Sequence, residues 1–247
     1  MIEAVLLTVT RVSTFMGGRL LTHASGFFYS RGEQLFLVTS RHVVADEPSG
    51  HLPDRLEIEL HTNAEHLSES VAFSIPLYQD RRSVWRQGGD AGGNIDVAVI
   101  ELDHAALPAN AVYCSFDNRH LQQDLQTVEI GTPLVVVGFP LGFHDTLHHL
   151  PVVRVAAVAS SFGLRFQGQG YFLTDARTHR GTSGAPVLMR MARAPEGAAE
   201  PLPWMLLGVH SARLDMGGRN LLLDESLGLN CAWYADILQT LTGPREV

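Results

Sequence analysis

Cysteine is scarce in this chain of 247 residues: only Cys114 and Cys231 occur, and neither stands in a CxxC pair or beside a histidine at zinc spacing. A multi-disulfide scaffold and a thiolate metal knot are thereby excluded; the two thiols are expected to be free and buried, in a reducing compartment, with one disulfide between them as the alternative. Runs of one charge sign are also missing. The 18 basic and 26 acidic residues give a net charge of -8 without a basic stripe, which excludes a nucleic-acid surface. The local "DRRSVWR" at 80–86 reads as a solvated loop. Nothing in the chain has the length of a membrane-spanning apolar run. The start, "MIEAVLLTVTRV", has no basic leader region, and Glu3, Thr8 and Arg11 interrupt its apolar residues. The expectation is a cytoplasmic protein with no membrane partner.

What the chain does have is a 45% hydrophobic content, that of an ordinary globular protein. It is distributed in strand-length pieces: "SGFFYS", "QLFLVTS", "RLEIEL", "VAFSIPL", "VAVIEL", "PLVVVGF", "VVRVAAVAS", "YFLTDA", "PVLM" and "MLLGVHS", together with the opening "AVLLTVTRV". Valine, leucine, isoleucine and phenylalanine dominate these pieces, and Gly, Asp, Asn or Pro separate them, so the fold class is all-β. Alternation in Arg55-Leu56-Glu57-Ile58-Glu59-Leu60 suits an antiparallel strand with one wet face. The polar "DNRHLQQDLQ" near residue 120 divides the chain into 1–120 and 121–247, two β halves with a cleft between them. Only "CAWYADILQTLTG" has helical spacing, through Ala232, Ala235, Leu238 and Leu241, and predicts a short closing helix. The segments 61–94 and 191–204 are weakly patterned, the second reading as a mobile loop.

Acyl transfer needs a nucleophile, a base, a group that orients the base, and N–H donors for the oxyanion. In "THRGTSGAPV", residues 178–187, glycines at 181 and 184 flank Ser183, and the N–H groups of Gly181 and Ser183 can converge on one oxygen. Taken alone the stretch is equally a turn of small residues. His42 in "LFLVTSRHVVAD" follows a strand end and is the candidate base; alone it is one of 12 histidines. Asp96 in "GGNIDVAVIEL" leads into a buried strand, where a carboxylate must be paired. Its competing reading is a turn cap.

The order His42, Asp96, Ser183, in the contexts Thr39-Ser40-x-His42, Asp96-Val97-Ala98-Val99 and Gly181-x-Ser183-Gly184-x-Pro186, resembles the chymotrypsin-like serine peptidases, and more closely their bacterial HtrA-type and glutamyl-endopeptidase branches. The likeness runs over residues 5–242, with "VVVGFPLG", "FLTDARTHRGTSG" and "LLGVHSA" as further matches. It implies two six-stranded Greek-key β-barrels, the first carrying His42 and Asp96 and the second Ser183 and a terminal helix. It also implies a serine endopeptidase acting on a protein or peptide through an acyl-enzyme, with no cofactor and no metal. Ser183 would be the nucleophile, His42 the general base, Asp96 its orienting acid, and the backbones of Gly181 and Ser183 the oxyanion hole.

Departures from the family pattern bear on specificity and control. Thr182 stands where trypsin-type zymogens carry the aspartate that pairs with a new N-terminus, which argues against that activation. No PDZ-like extension is expected after residue 247. Arg177 occupies the position at the base of the first specificity pocket, six before Ser183, and opposes cationic side chains there. Thr178 and His210 match positions that glutamyl endopeptidases use for an acidic side chain, with Ser211 and Arg213 beside them on the cleft strand. In "HDTLHHL", His144 and His148 would share a helix face, but without further ligands they read as a solvated loop rather than a metal site. The alternative function is a peptide-binding module of the same fold, dormant until a regulatory partner opens the cleft.

Overall fold

The computed structural model describes residues 2–122, 127–191, 202–213 and 228–244. Fifteen strands among them make up nearly all the regular structure: β1 Val9–Met16, β2 Arg19–Arg31, β3 Gln34–Thr39, β4 Arg55–His61, β5 Ser70–Pro76, β6 Tyr78–Gln79, β7 Arg82–Ser83, β8 Arg86–Asp90, β9 Gly93–Leu102, β10 Pro133–Gly138, β11 Val152–Ala157, β12 Tyr171–Thr174, β13 Pro186–Arg190, β14 Trp204–Arg213 and β15 Asn230–Tyr234. Two short α-helices, α1 Arg41–Val44 and α2 Ile237–Leu241, and several 3-10 turns complete it. The protein is all-β, as its composition and spacing imply.

All pairings between named strands are antiparallel. They form a seven-stranded sheet in the order β5-β4-β1-β2-β3-β9-β8 and a six-stranded sheet in the order β11-β10-β13-β14-β15-β12. The second sheet curls until its ends meet: a bridge joins Val158 to Thr174, and Ala159 N–H donates to Leu173 O at 2.8 Å. The first has seven strands rather than the expected six. The extra one, β8, comes from "RQGGD", which has no apolar alternation to announce it and pairs with β9 through a register shift between Gln87 and Gly89.

Why the apolar stretches are nearly continuous is answered by the core, because strands at the centre of each sheet bury both faces. On β2, Phe27 and Tyr29 point into a core shared by the two sheets, while Phe28 points into the first sheet's own interior. The same alternation separates Phe36 and Val38 from Leu35 and Leu37 on β3, and Val97 and Val99 from Ala98 and Ile100 on β9. From the other side, Leu188, Leu206, Val209 and Trp233 enter the shared core, and Val136, Val187 and Leu207 fill the second sheet's interior. The sheets are thus held by one apolar seam.

At the C-terminus the helix is shorter than its spacing suggests. Asn230–Tyr234 is strand, paired on one side with β12 and on the other with β14, so sheet hydrogen bonds override the helical placing of Ala232. Only Ile237–Leu241 is helical, with Leu238 and Leu241 buried. Arginines from the first sheet reach its carbonyl end: Arg31 donates to Gln239 O at 2.6 Å and Arg86 to Gly243 O at 2.6 Å.

Phe116 lies in the seam with no exposed surface, edge-on to Phe27 at 5.9 Å and to His120 at 5.6 Å. Phe116→Ala leaves a cavity there and should lower the unfolding free energy by about 3–5 kcal/mol, read from the urea midpoint at constant slope.

Candidate active site

His42 is the second residue of α1, the single turn into which β3 runs after Thr39 and Ser40. Asp96 lies early in β9, the strand hydrogen-bonded to β3. That pairing brings the imidazole and the carboxylate together: Asp96 Oδ2 is 2.7 Å from His42 Nδ1, and Oδ1 accepts the His42 backbone N–H at 2.8 Å. The carboxylate therefore holds both the ring and the main chain of the histidine.

A third donor was assigned elsewhere by the sequence. Ser211, placed in the specificity pocket, turns its hydroxyl to Asp96 Oδ2 at 2.5 Å instead, because the second sheet brings β14 against the end of β9. Burial favours the neutral form of Asp96, but the hydrogen bonds and charge of His42 and the Ser211 hydroxyl outweigh it and hold the carboxyl below its ordinary range. For His42, burial opposes protonation while the bond to Asp96 and its charge favour it, and the net shift is upward.

Ser183 sits in a loop without regular structure between β12 and β13. Its Oγ donates to Ser211 O at 2.9 Å. Around it the backbone is tightly prescribed. Gly184 has φ +85°, and a Cβ there would collide with Ser25 O and Thr39 Oγ1; its N–H donates to His210 O at 2.8 Å. Gly181 has φ +90°, and a Cβ would come within 2.5 Å of Phe139 O. The Arg180 carbonyl accepts Leu141 N–H at 2.5 Å, which turns the N–H of the same trans peptide, that of Gly181, the opposite way. Neither Gly181 N–H nor Ser183 N–H has a hydrogen-bond partner among the described residues. The two amides are two residues apart, and their peptide planes are held by Leu141 N–H on Arg180 O and Ala185 N–H on Thr182 O, the donor arrangement that an oxyanion requires.

The remaining expected specificity residues are dispersed. Arg177 is exposed, so its cation is not a pocket floor among the described residues. Thr178 is buried and spends its proton on Asn230 Oδ1 at 2.5 Å. His210 is buried with an unpartnered Nδ1. Burial, with the charge of His42, lowers its pKa to about 4, so it is neutral near pH 7. Arg213 closes β14 opposite Asn230; its side chain, like most of the loop 191–204, lies outside the described residues. His144 and His148 lie in irregular backbone and share no helix face: His144 stacks on His149, and His148 pairs with Asp145 at 2.7 Å. No cluster among the described residues offers three metal-ligating side chains.

The all-β fold is that of the chymotrypsin-like proteases. A protease of M. tuberculosis, Rv3671c in its active form, is similar to this chain with a TM-score of 0.53 at 15% identity, covering 98% of this chain and 83% of its own. Residues 24–193 match the trypsin-like peptidase domain, and the chain belongs to that family. No curated protein matches it by sequence.

Thr182, the departure from the zymogen pattern, is buried, and its hydroxyl has no partner among the described residues. Thr182→Val keeps the shape and removes that unsatisfied group. The variant should be at least as stable as the parent, by up to about 1 kcal/mol, in thermal or denaturant unfolding; a loss of similar size would show that the hydroxyl is bonded in solution.

Proposed function

We propose that the protein is a serine endopeptidase in which Ser183 attacks the scissile carbonyl, His42 takes and returns its proton, Asp96 holds the imidazole, and the Gly181 and Ser183 amides bind the oxyanion of the acyl-transfer intermediate. The observation that carries this reading is the unpaired pair of amides beside a serine hydroxyl, on a loop tied to the strand bearing the His42–Asp96 partner Ser211. The substrate is an extended protein or peptide segment laid in the cleft. No disulfide joins Cys114 and Cys231, which fits a reducing, cytoplasmic setting, and no helix among the described residues is long and apolar enough to cross a membrane.

An acidic residue before the cut is the specificity we propose, and it rests on His210. A neutral buried imidazole with an open Nδ1 can hydrogen-bond a carboxylate that enters beside it. Thr178 contributes less than its position suggests, since its proton is already committed to Asn230. The likeness to the glutamyl-endopeptidase branch points the same way, while that to the HtrA-type branch bears on fold rather than on this pocket.

One observation favours the dormant alternative. The Ser183 hydroxyl donates to the Ser211 carbonyl, and no hydrogen bond joins it to His42. Rotation about one side-chain torsion would redirect it, and a partner or substrate that occupies the Ser211 carbonyl would drive that rotation.

A fluorophosphonate probe should label the wild-type protein and not Ser183→Ala. The labelling rate should fall as pH drops, because the base must be neutral; with the pKa of His42 raised, the midpoint lies above the ordinary 6.5. Absence of labelling in the free protein but labelling with a peptide partner present would select the dormant reading.

In a peptide library, cleavage should follow Glu or Asp, and His210→Ala should abolish that preference while leaving labelling of Ser183 intact. Cleavage after Lys or Arg would exclude the acidic pocket.

A further inference from the structure

We infer that Ser25 is the positioning residue of the oxyanion loop, a role that rests on the serine-endopeptidase reading for its catalytic meaning but not for its structural content. Ser25 belongs to β2, in the opposite sheet from Ser183, and has no exposed surface. Its N–H and hydroxyl cross to the other half of the molecule, and its carbonyl is bonded within its own sheet. Its N–H donates to Ser183 O at 2.9 Å, and its hydroxyl donates to Gly181 O at 2.8 Å and accepts Phe139 N–H at 3.0 Å. Its carbonyl accepts the Thr39 hydroxyl at 2.8 Å, three residues before His42.

The physical need for such a clamp follows from the loop itself. Gly181 has φ +90° and no side chain, so its two flanking peptide planes have more rotational freedom than those of any other residue type. Its N–H and that of Ser183 are unpaired, which costs free energy that rotation of those planes would relieve. Each carbonyl of the segment is tied: Arg180 O by Leu141 N–H, Gly181 O by Ser25 Oγ, Thr182 O by Ala185 N–H, and Ser183 O by Ser25 N–H. Two of the four ties come from Ser25, and the one made by its side chain holds the 181–182 peptide, which lies between the two unpaired amides.

The surroundings make room for that hydroxyl. A Cβ on Gly138 would stand 2.6 Å from Ser25 Oγ, so the glycine at the end of β10 is what permits the serine to reach Gly181 and Phe139 together. Alanine at 25 would keep the backbone bond to Ser183 and lose the hydroxyl bonds on either side, leaving the 181–182 peptide held only by the Thr182 N–H bond to His179 O at 3.2 Å.

Two variants test the inference without relying on folding of one. Ser25→Ala removes the hydroxyl; Gly138→Ala keeps the hydroxyl but pushes it out of position. Each should lower kcat by about tenfold or more, less than the full loss of an oxyanion donor, with KM changed by no more than roughly threefold. Affinity for a peptide boronate that forms a tetrahedral adduct should fall in parallel, while the acid midpoint set by His42 stays where it is in the parent. Ser25→Thr, which retains a hydroxyl, should recover most of the rate. A kcat in Ser25→Ala equal to wild type would overturn the inference, as would equal losses in Ser25→Ala and Ser25→Thr.

Amide relaxation separates this outcome from failure of the protease reading. The Gly181 and Ser183 amides should be rigid in the parent and mobile in Ser25→Ala, whether or not the protein cleaves anything. Mobility in the variant of a parent that no fluorophosphonate labels would support the clamp and reject the enzyme. Rigid amides in both proteins would reject the clamp itself.

Discussion

The site depends on how closely the nucleophile loop can approach the opposite sheet at Gly184. There the main chain lies so near Ser25 O and Thr39 Oγ1 that no side chain fits, and its N–H is bonded to His210 O. That contact joins β2, the end of β3 and β14 at one point. His42 follows the end of β3, and Ser211 follows His210 on β14. A displacement at Gly184 would therefore shift Ser183 relative to His42 and to the Ser211 hydroxyl that is bonded to Asp96. Catalytic geometry tolerates little of this, since small misplacements of reacting atoms cost large factors in rate.

Electrostatics at the site follow from the same packing. Asp96 is far from fully exposed, yet it accepts three hydrogen bonds, two from His42 and one from Ser211. A carboxylate so supplied stays ionised in spite of its burial, and its charge raises the affinity of His42 for a proton. His210, one residue from Ser211, has no such carboxylate partner, so burial leaves it neutral. Two histidines near one another are thereby given opposite shifts, His42 upward and His210 downward.

Much of the fold was legible because a strand at the centre of a sheet must bury alternate residues on both faces, and "SGFFYS", "QLFLVTS" and "VAVIEL" show that demand directly. What escaped was strand without apolar need. The segment "RQGGD" lies at a sheet edge, and "NCAWY" has residues at helical spacing that two neighbouring strands claim for the sheet. The candidate triad was readable as three residues in familiar local contexts. Ser211 was noticed but misassigned, and Ser25 went unnoticed, because neither carries a local signal of what lies across the cleft.

The amino-acid sequence by itself determined an all-β chain, the residue types at positions 42, 96 and 183, and glycines at 181 and 184 where the backbone adopts positive φ. Those are properties of single residues and short windows, set by side-chain chemistry and backbone sterics. Only the tertiary structure decided where each hydroxyl points: Ser211 to Asp96, Ser183 to the Ser211 carbonyl, Thr178 to Asn230 and Ser25 to Gly181. A hydroxyl can give its proton to any acceptor within reach, and which acceptor is in reach follows from the packing of the two sheets, across separations as large as 156 residues in the chain.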